Sequence, residues 1–529
     1  MTFRVLVADS MAEAGVKVFQ QHPHLEVVNR PGISREELLK EIPAVHGLVV
    51  RSRTQADAEL IDAAPNLKVV GRAGIGVDNV DIRAATRAGV VVMNTPDGNA
   101  ITTAEHTLSL IFSMSRKIPQ ATASMKSGKW EKKRFMGKEL FGKTLGVIGL
   151  GNIGRIVADR AIGLKMKVVA FDPFFSDEAA AKMGVTLMDL NELLANADIL
   201  TCHTPLNDHT RGMIGREQLE HLKEGVMLVN CARGGIYDEA ALVEGLEMGR
   251  ISALALDVFE EEPPADTHPL LRHENVICTP HLGASTSEAQ VNVAVAVAEQ
   301  ISAFLAGDPA QNAINMPRMS AAELRVLGPQ LDLADRLGLF ASQLDDVVPE
   351  RITVTIHGAL GESASGALAT AAVAGALSQA FDSPVNAVNA RVLAEERGIE
   401  IVVSESERTV QGYASTIEVE LSSGEGTRSV AGALIAGNEG RVVAINGIHL
   451  EAIPTGHMLL IENKDIPGVI GKIGTRLGDS GINISRMQLG LSPKTGKAIS
   501  IVNVDQPVSA EVREALTCDD IVSVTLISL

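Results

Sequence analysis

Aromatic side chains are scarce in this 529-residue chain: one Trp, two Tyr and 12 Phe, 3% in all. Its cores must be built from Ala, Val, Leu and Ile, which suits parallel sheets covered by helices. Cysteine is as sparse. Cys202, Cys231, Cys278 and Cys518 lie far apart and form no Cys-x-x-Cys pair. That spacing argues against a disulfide framework or a zinc site, so no metal is expected. No run approaches the ~18 consecutive apolar residues of a membrane span. The Ala-rich stretch 367–380 comes closest, but Thr, Ser, Gly and Gln interrupt it. Met1–Asp9 reads as a strand and a loop acid, without the pattern of a signal peptide. A cytoplasmic protein is expected. Positive charge is in deficit, with 47 Lys and Arg against 65 Asp and Glu, net −18. That field repels nucleic acid and anionic membranes. An anionic substrate would need a local basic pocket.

The chain is too long for one core, since cores stop growing at roughly 250–300 residues. Strands predicted at Val5–Ala8, Leu48–Arg51, Val69–Gly71 and Val90–Asn94 alternate with helical patterns, the signature of a parallel α/β unit. A second series begins at Thr144, with apolar runs at Leu145–Ile148, Val168–Phe171, Ile199–His203, Met227–Asn230, Ala253–Val258 and Val276–Thr279. These fit a doubly wound sheet. A helix over Ser287–Leu305 stops at Gly307-Asp308-Pro309, and 312–317 reads as a linker. Residues 319–454 read as a separate α+β unit with strands at Ile352–Ile356, Ile399–Val403, Thr416–Leu421 and Val430–Ala436. The tail reads βαββαβ, a ferredoxin-like order, with its first helix over Pro467–Asp479.

Gly149-Leu150-Gly151-Asn152-Ile153-Gly154 follows a predicted strand and opens a helix, the context of a dinucleotide fingerprint. Gly149 permits the turn, Gly151 lets the backbone approach a pyrophosphate, and Gly154 allows close helix–strand packing. The next strand ends in Asp172, where a carboxylate accepts from ribose hydroxyls and repels a 2′-phosphate. NAD is therefore the expected cofactor. Arg233, Glu262 and His281 follow later strands of the same series. Arg233 has the fork that grips a carboxylate. His281 carries an imidazole, the side chain suited to proton transfer near neutral pH. Glu262 beside it would stabilise the imidazolium.

The stretches Gly74-Ile75-Gly76-Val77-Asp78-Asn79, Gly149–Gly154, Asn230–Gly235, Asp257–Pro263 and Pro280–Ala284 come in the order found in the D-2-hydroxyacid dehydrogenase family, which this chain resembles. The likeness extends through the plan of a long form with an intervening domain and an ACT regulatory domain. It implies a Rossmann-type cofactor domain inserted in a split flavodoxin-like substrate domain. The limits would be 1–98 with 286–317 for substrate, 99–285 for NAD, 318–454 intervening (an allosteric substrate-binding type) and 455–529 for ACT. It implies that Arg233, Glu262 and His281 are the catalytic trio. Asn152, Ile153, Thr204, Cys231, Ala232, Asp257, Gly283 and Ala284 would line the NAD site with the glycines, Asp172, Arg233 and His281.

The same likeness implies oxidation of D-3-phosphoglycerate to 3-phosphohydroxypyruvate, the entry to serine synthesis, by a homo-oligomer (a dimer or tetramer). Gly74, Ile75 and Gly76 would offer backbone N–H groups to the substrate carboxylate, although Ile75 departs from the hydroxyl residue common in relatives. Asn99 would join Arg233 and His281 around the substrate. Arg51 and Arg72 are the first choices for its phosphate. Lys132 comes second, with Lys133 and Arg134, by way of a neighbouring subunit's cleft. In the ACT tail Asn463, Asp465 and Asn483 would hold an effector, and end-product logic suggests L-serine. Two other readings stand beside this one: a hydroxypyruvate or glyoxylate reductase, and a non-catalytic NAD-sensing binding protein.

Overall fold

Five short strands pair in parallel into the first sheet: β1 (Phe3–Val7), β2 (Leu25–Asn29), β3 (Gly47–Val50), β4 (Val69–Arg72) and β5 (Val91–Met93). Their order in this computed structural model is β2-β1-β3-β4-β5, the flavodoxin-like arrangement. The structure describes residues 2–529 except 318, 320, 346, 359–361, 382–383, 408–411, 425, 436–437 and 493–496. β2 is absent from the sequence reading because it is a half-exposed edge strand without an apolar run.

The helix Ser287–Leu305 lies far along the chain, yet it packs on this first sheet. Its Val293, Val297, Ala298, Ile301 and Leu305 share a core with Val5, Val49, Val69 and Val91. Gly71 makes the approach possible, because a Cβ there would lie 2.5 Å from Ile301 Cδ1. The segment expected as a linker is also stitched down. Ile314 N donates to Val92 O at 2.8 Å, and Val92 N donates to Asn315 Oδ1 at 2.9 Å.

The second sheet is all parallel, with seven strands: β6 (Thr144–Ile148), β7 (Lys167–Phe171), β8 (Thr186–Leu187), β9 (Ile199–Cys202), β10 (Val226–Asn230), β11 (Ile251–Leu256) and β12 (Val276–Cys278). Its order, β12-β11-β10-β9-β6-β7-β8, is the doubly wound one, with β6 and β9 at the switch point. The helix Ala100–Ser115 carries the chain into this unit from the first sheet.

The third sheet is mixed and has six strands where the sequence suggested four: β13 (Arg351–His357), β14 (Glu400–Ser406), β15 (Thr416–Ser423), β16 (Gly426–Ile435), β17 (Glu439–Ile445) and β18 (Ile448–Ala452). The two extra strands form a hairpin on Asn446-Gly447, both at positive φ (47° and 72°), which is the signature of a tight hairpin turn. Asn386 Nδ2 donates to Gly89 O at 2.9 Å and so ties this unit to the start of β5.

The fourth sheet has the order β20-β21-β19-β22, with β19 (His457–Lys464), β20 (Ile484–Leu491), β21 (Lys497–Val504) and β22 (Ile521–Ser528). The βαββαβ expectation is met. The first helix of this unit, however, starts at Val469, not Pro467, because Gly468 turns the chain with φ 95° at the N-cap. One face of this sheet (Met458, Leu460, Ile499, Ile501, Ile527) joins the core of the third unit. Among the described residues no helix is long and apolar enough to cross a membrane.

Candidate active site

The glycine loop leaves β6 and enters the helix Asn152–Gly163, whose N-cap is Gly151. Gly149 stands at φ 89°, and a Cβ on it would lie 2.8 Å from Thr204 Cγ2. A Cβ on Gly154 would lie 2.0 Å from Gly149 O, so only glycine fits. In front of Gly151 there is open space, as a pyrophosphate on the helix N-terminus requires. Asp172 closes the loop from β7. Its Oδ2 accepts from Leu150 N at 2.8 Å and its Oδ1 from Phe174 N at 2.9 Å. Thr204 Oγ1 and Asn99 Oδ1 are buried without a protein partner, on segments that flank the cleft. An open glycine turn, a carboxylate at the next strand end and unpartnered buried acceptors fit a dinucleotide.

The three proposed catalytic residues follow β10, β11 and β12, neighbours in the parallel sheet. His281 Nδ1 lies 2.7 Å from Glu262 Oε2. Burial pushes the Glu262 carboxyl up, but the His281 contact outweighs it and leaves the group below the usual carboxylate range. His203, at the end of β9, is no rival proton carrier, since burial pushes its imidazole down to about 3. Gly234 lets the Arg233 turn press on the loop that carries Glu262, because a Cβ there would lie 1.8 Å from Phe259 O. Cys231 contributes packing, and burial pushes its thiol up.

Arg233 reaches across the cleft to the first sheet, where its Nε donates to Asp78 Oδ2 at 2.8 Å. Its Nη2 lies so close to Gly76 that a Cβ there would be 1.5 Å away. Arg72, at the end of β4, stands in the same way against Gly74, with Nη1 1.6 Å from a Cβ there. The Arg72 Nε is buried and has no partner. Burial, then the Arg233 and Arg51 cations, push the Arg72 guanidinium down to about 10, with Asp78 and Asp9 opposing. Arg51 donates from Nη1 to Ser10 O at 3.2 Å. The loop between these cations is fixed from behind: Thr95 N donates to Gly74 O at 3.0 Å and Asn94 Nδ2 to Ile75 O at 2.7 Å. Three guanidinium groups and a glycine loop thus surround one spot, the local basic pocket that an acidic chain needs for an anion.

Lys132 is not brought here. Its neighbour Arg134 pairs with Glu274 at 3.8 Å, and Lys138 Nζ donates to Gly225 O at 3.3 Å. Those partners precede β12 and β10, so the basic run lies at the opposite end of the sheet from His281. In the tail, Asn463 is buried, with Oδ1 accepting from Ser500 Oγ at 3.0 Å, whereas Asp465 and Asn483 are exposed. Sequence reasoning missed Asp78 as the partner of Arg233, and also the network around Asp257. That carboxylate accepts from Leu282 N and Gly283 N, both at 2.7 Å, and from Thr279 Oγ1 at 2.6 Å. Burial pushes the Asp257 carboxyl up, but bonds from His106, Thr279 and Leu282 outweigh it and hold it below the usual range. No local signal marks these pairs.

Comparison with known proteins identifies three segments of the chain. Residues 108–283 match the family described as D-isomer specific 2-hydroxyacid dehydrogenase, NAD binding domain. Residues 326–446 match the D-3-phosphoglycerate dehydrogenase intervening domain, and 457–517 the ACT domain. A D-3-phosphoglycerate dehydrogenase of Archaeoglobus fulgidus is 44% identical over 99% of this chain and 100% of its own length. The chain belongs to the D-3-phosphoglycerate dehydrogenase family. The Bacillus subtilis member is 43% identical over the full length of both chains. Among solved structures, a glyoxylate reductase from Paecilomyes thermophila matches with a TM-score of 0.55 and 29% identity. It covers 59% of this chain and 98% of its own. Family membership makes the protein an NAD-dependent oxidoreductase.

Proposed function

We propose that the protein oxidises D-3-phosphoglycerate to 3-phosphohydroxypyruvate with NAD, the first step of L-serine synthesis. The observation that carries this reading is the Arg51–Arg72–Arg233 cluster around Gly74–Gly76, with Arg233 following β10 at the same end of the sheet from which the His281–Glu262 pair emerges after β12 and β11. A substrate with a carboxylate at one end and a phosphate at the other needs two cationic grips. Arg233 and the N–H groups of Ile75 and Gly76 hold the carboxylate, and Arg72 with Arg51 takes the phosphate. His281 takes the hydroxyl proton on Nε2 while Glu262 holds Nδ1 and stabilises the imidazolium. NAD supplies the acceptor for the hydride that leaves C2. In the reverse direction His281 returns the proton.

This reading divides the chain into a split substrate-binding domain (1–98 and 286–317), an NAD domain, an intervening domain and an ACT domain. The packing of Ser287–Leu305 on the first sheet supports the split. The reductase alternative is disfavoured because the glyoxylate reductase structure covers only 59% of this chain, while the Archaeoglobus relative covers 99%. The test is NADH formation. D-3-phosphoglycerate should be turned over at micromolar to low millimolar concentrations, and D-glycerate poorly. Equal kcat/KM for the two would remove phosphate recognition from the reading.

Two further outcomes are expected. Asp172→Ser removes the carboxylate that excludes a 2′-phosphate, so the NAD/NADP preference in kcat/KM should fall by about tenfold or more, given ~1.5–3 kcal/mol for a charged hydrogen bond. An unchanged ratio would take that role from Asp172. L-Serine is the proposed effector at Asn463, Asp465 and Asn483. Isothermal titration should give heat with the parent protein and lose it in Asn483→Ala. Absence of heat and of inhibition in the parent would remove serine.

A further inference from the structure

The catalytic histidine stands in a backbone conformation that side chains seldom adopt, with φ of His281 at 53°. Such strain persists only where the surroundings over-determine it. Here they do so through one buried residue at the end of β11. Asp257 receives three successive backbone N–H groups. Its carbonyl oxygen takes that of His281 at 2.9 Å, Oδ1 takes Leu282 at 2.7 Å and Oδ2 takes Gly283 at 2.7 Å. The carboxylate is held in turn from its other side. Thr279 donates to Oδ1 at 2.6 Å, and His106 Nε2 lies 3.1 Å from Oδ1 and 3.1 Å from Thr279 Oγ1. The Thr279 proton points to Asp257, so both oxygens that face Nε2 are acceptors. His106 therefore carries its hydrogen on Nε2 and shares it between them.

His106 is the donor in this set that comes from outside the strand ends. It sits in the second turn of the helix Ala100–Ser115, which brings the chain over from the first sheet. Gly283 backs onto the same helix, where a Cβ would lie 3.4 Å from Thr103 Cγ2. The turn carrying the proton-transfer group is thus referenced to the helix that leads out of the substrate-binding unit.

We infer that His106 is a positioning residue for His281: by donating to Asp257 it sets the carboxylate that holds the His281–Gly283 turn. The inference rests on the proposed reaction, and His106 touches neither substrate nor proton. Its loss leaves Asp257 with fewer anchors, so the turn gains freedom and His281 Nε2 leaves the line of the substrate hydroxyl. Misplacement by about 1 Å at such a site costs up to roughly 100-fold in rate.

The experiment compares the parent enzyme with His106→Leu, which cannot donate, and His106→Gln, whose amide reaches the same oxygens. The readouts are kcat and KM, the isotope effect with C2-deuterated substrate, NADH affinity by fluorescence, and Tm. The leucine variant is expected to lose about tenfold or more in kcat. Its isotope effect should rise, while KM and NADH affinity change far less than kcat. The glutamine variant should recover most of the loss. If the leucine variant does not fold, His106→Asn takes its place, since its amide is too short to reach Asp257. A leucine or asparagine variant with parental kcat overturns the inference. So does equal loss in the donor and non-donor variants alongside a lowered Tm, because that is a packing role. Turnover of phosphoglycerate by the parent tests the reaction separately, and variant-to-parent ratios can be read on any 2-hydroxy acid the parent oxidises.

Discussion

His281→Ala should lower kcat with D-3-phosphoglycerate by about 10²–10⁴, the usual contribution of a positioned general base. NADH affinity should fall far less than kcat, because the glycine turn and Asp172, which follow β6 and β7, lie away from the histidine and, in this reading, supply most of the cofactor contacts. The pair with Glu262 at 2.7 Å makes the histidine effective, since it holds Nδ1 and leaves Nε2 for the substrate. Glu262→Gln keeps the shape and removes the charge, so it should cost activity at every pH in the neutral range. The sign follows from the shift. A carboxyl held below its ordinary value keeps its charge above that value and loses it only as pH falls through the depressed one. The parent's Glu262 therefore remains charged throughout the neutral range. Stopped-flow measurement of NADH formation, with fluorescence titration of NADH, checks both variants. Parental kcat in His281→Ala would dismiss it as the base.

Arg72→Met should raise KM for phosphoglycerate about 10- to 100-fold, from ~1.5–3 kcal/mol for a hydrogen bond to a charged group. The ligand-free protein should melt no lower than the parent. The two effects have one origin. The Arg72 guanidinium is half-buried beside Arg233 and Arg51, and its Nε finds no partner. A cation whose folded value drops to about 10 is destabilising below that value and is relieved as pH rises through it. Methionine removes that burden from the ligand-free fold. A bound dianion relieves it in the parent, so the substrate should raise the parent's Tm more than the variant's. KM of the parent should also climb as pH approaches 10. Thermal melts with and without phosphoglycerate, beside steady-state kinetics, read both sides. A variant that melts several degrees lower without ligand and keeps the parental KM would make Arg72 a structural residue.

Local chemistry made much of this protein legible before any fold was known. Short aliphatic runs that open into glycine announce parallel strands. Gly149–Gly154 followed by Asp172 announces a dinucleotide, because turn, helix start and next strand end are close in sequence. Arg233, Glu262 and His281 were visible because each follows an apolar run of the same series. Edge strands fared worse. β2 and β8 have little to bury, and the β17–β18 hairpin was overlooked although Asn446-Gly447 carries its signal.

The amino-acid sequence by itself determined the order of the strand-bearing units and the glycine turn after β6, and it marked Arg233, Glu262 and His281 as candidates at strand ends, since propensity, glycine and apolar periodicity are properties of neighbouring residues. Only the tertiary structure decided which charges meet. Asp78 pairs with Arg233 across 155 residues, and His106 reaches Asp257 across 151. Arg72 ends half-buried with an unpartnered Nε, and the basic run beside Lys132 is held by residues that precede β12 and β10. Such contacts depend on packing between distant segments, and no local pattern encodes them.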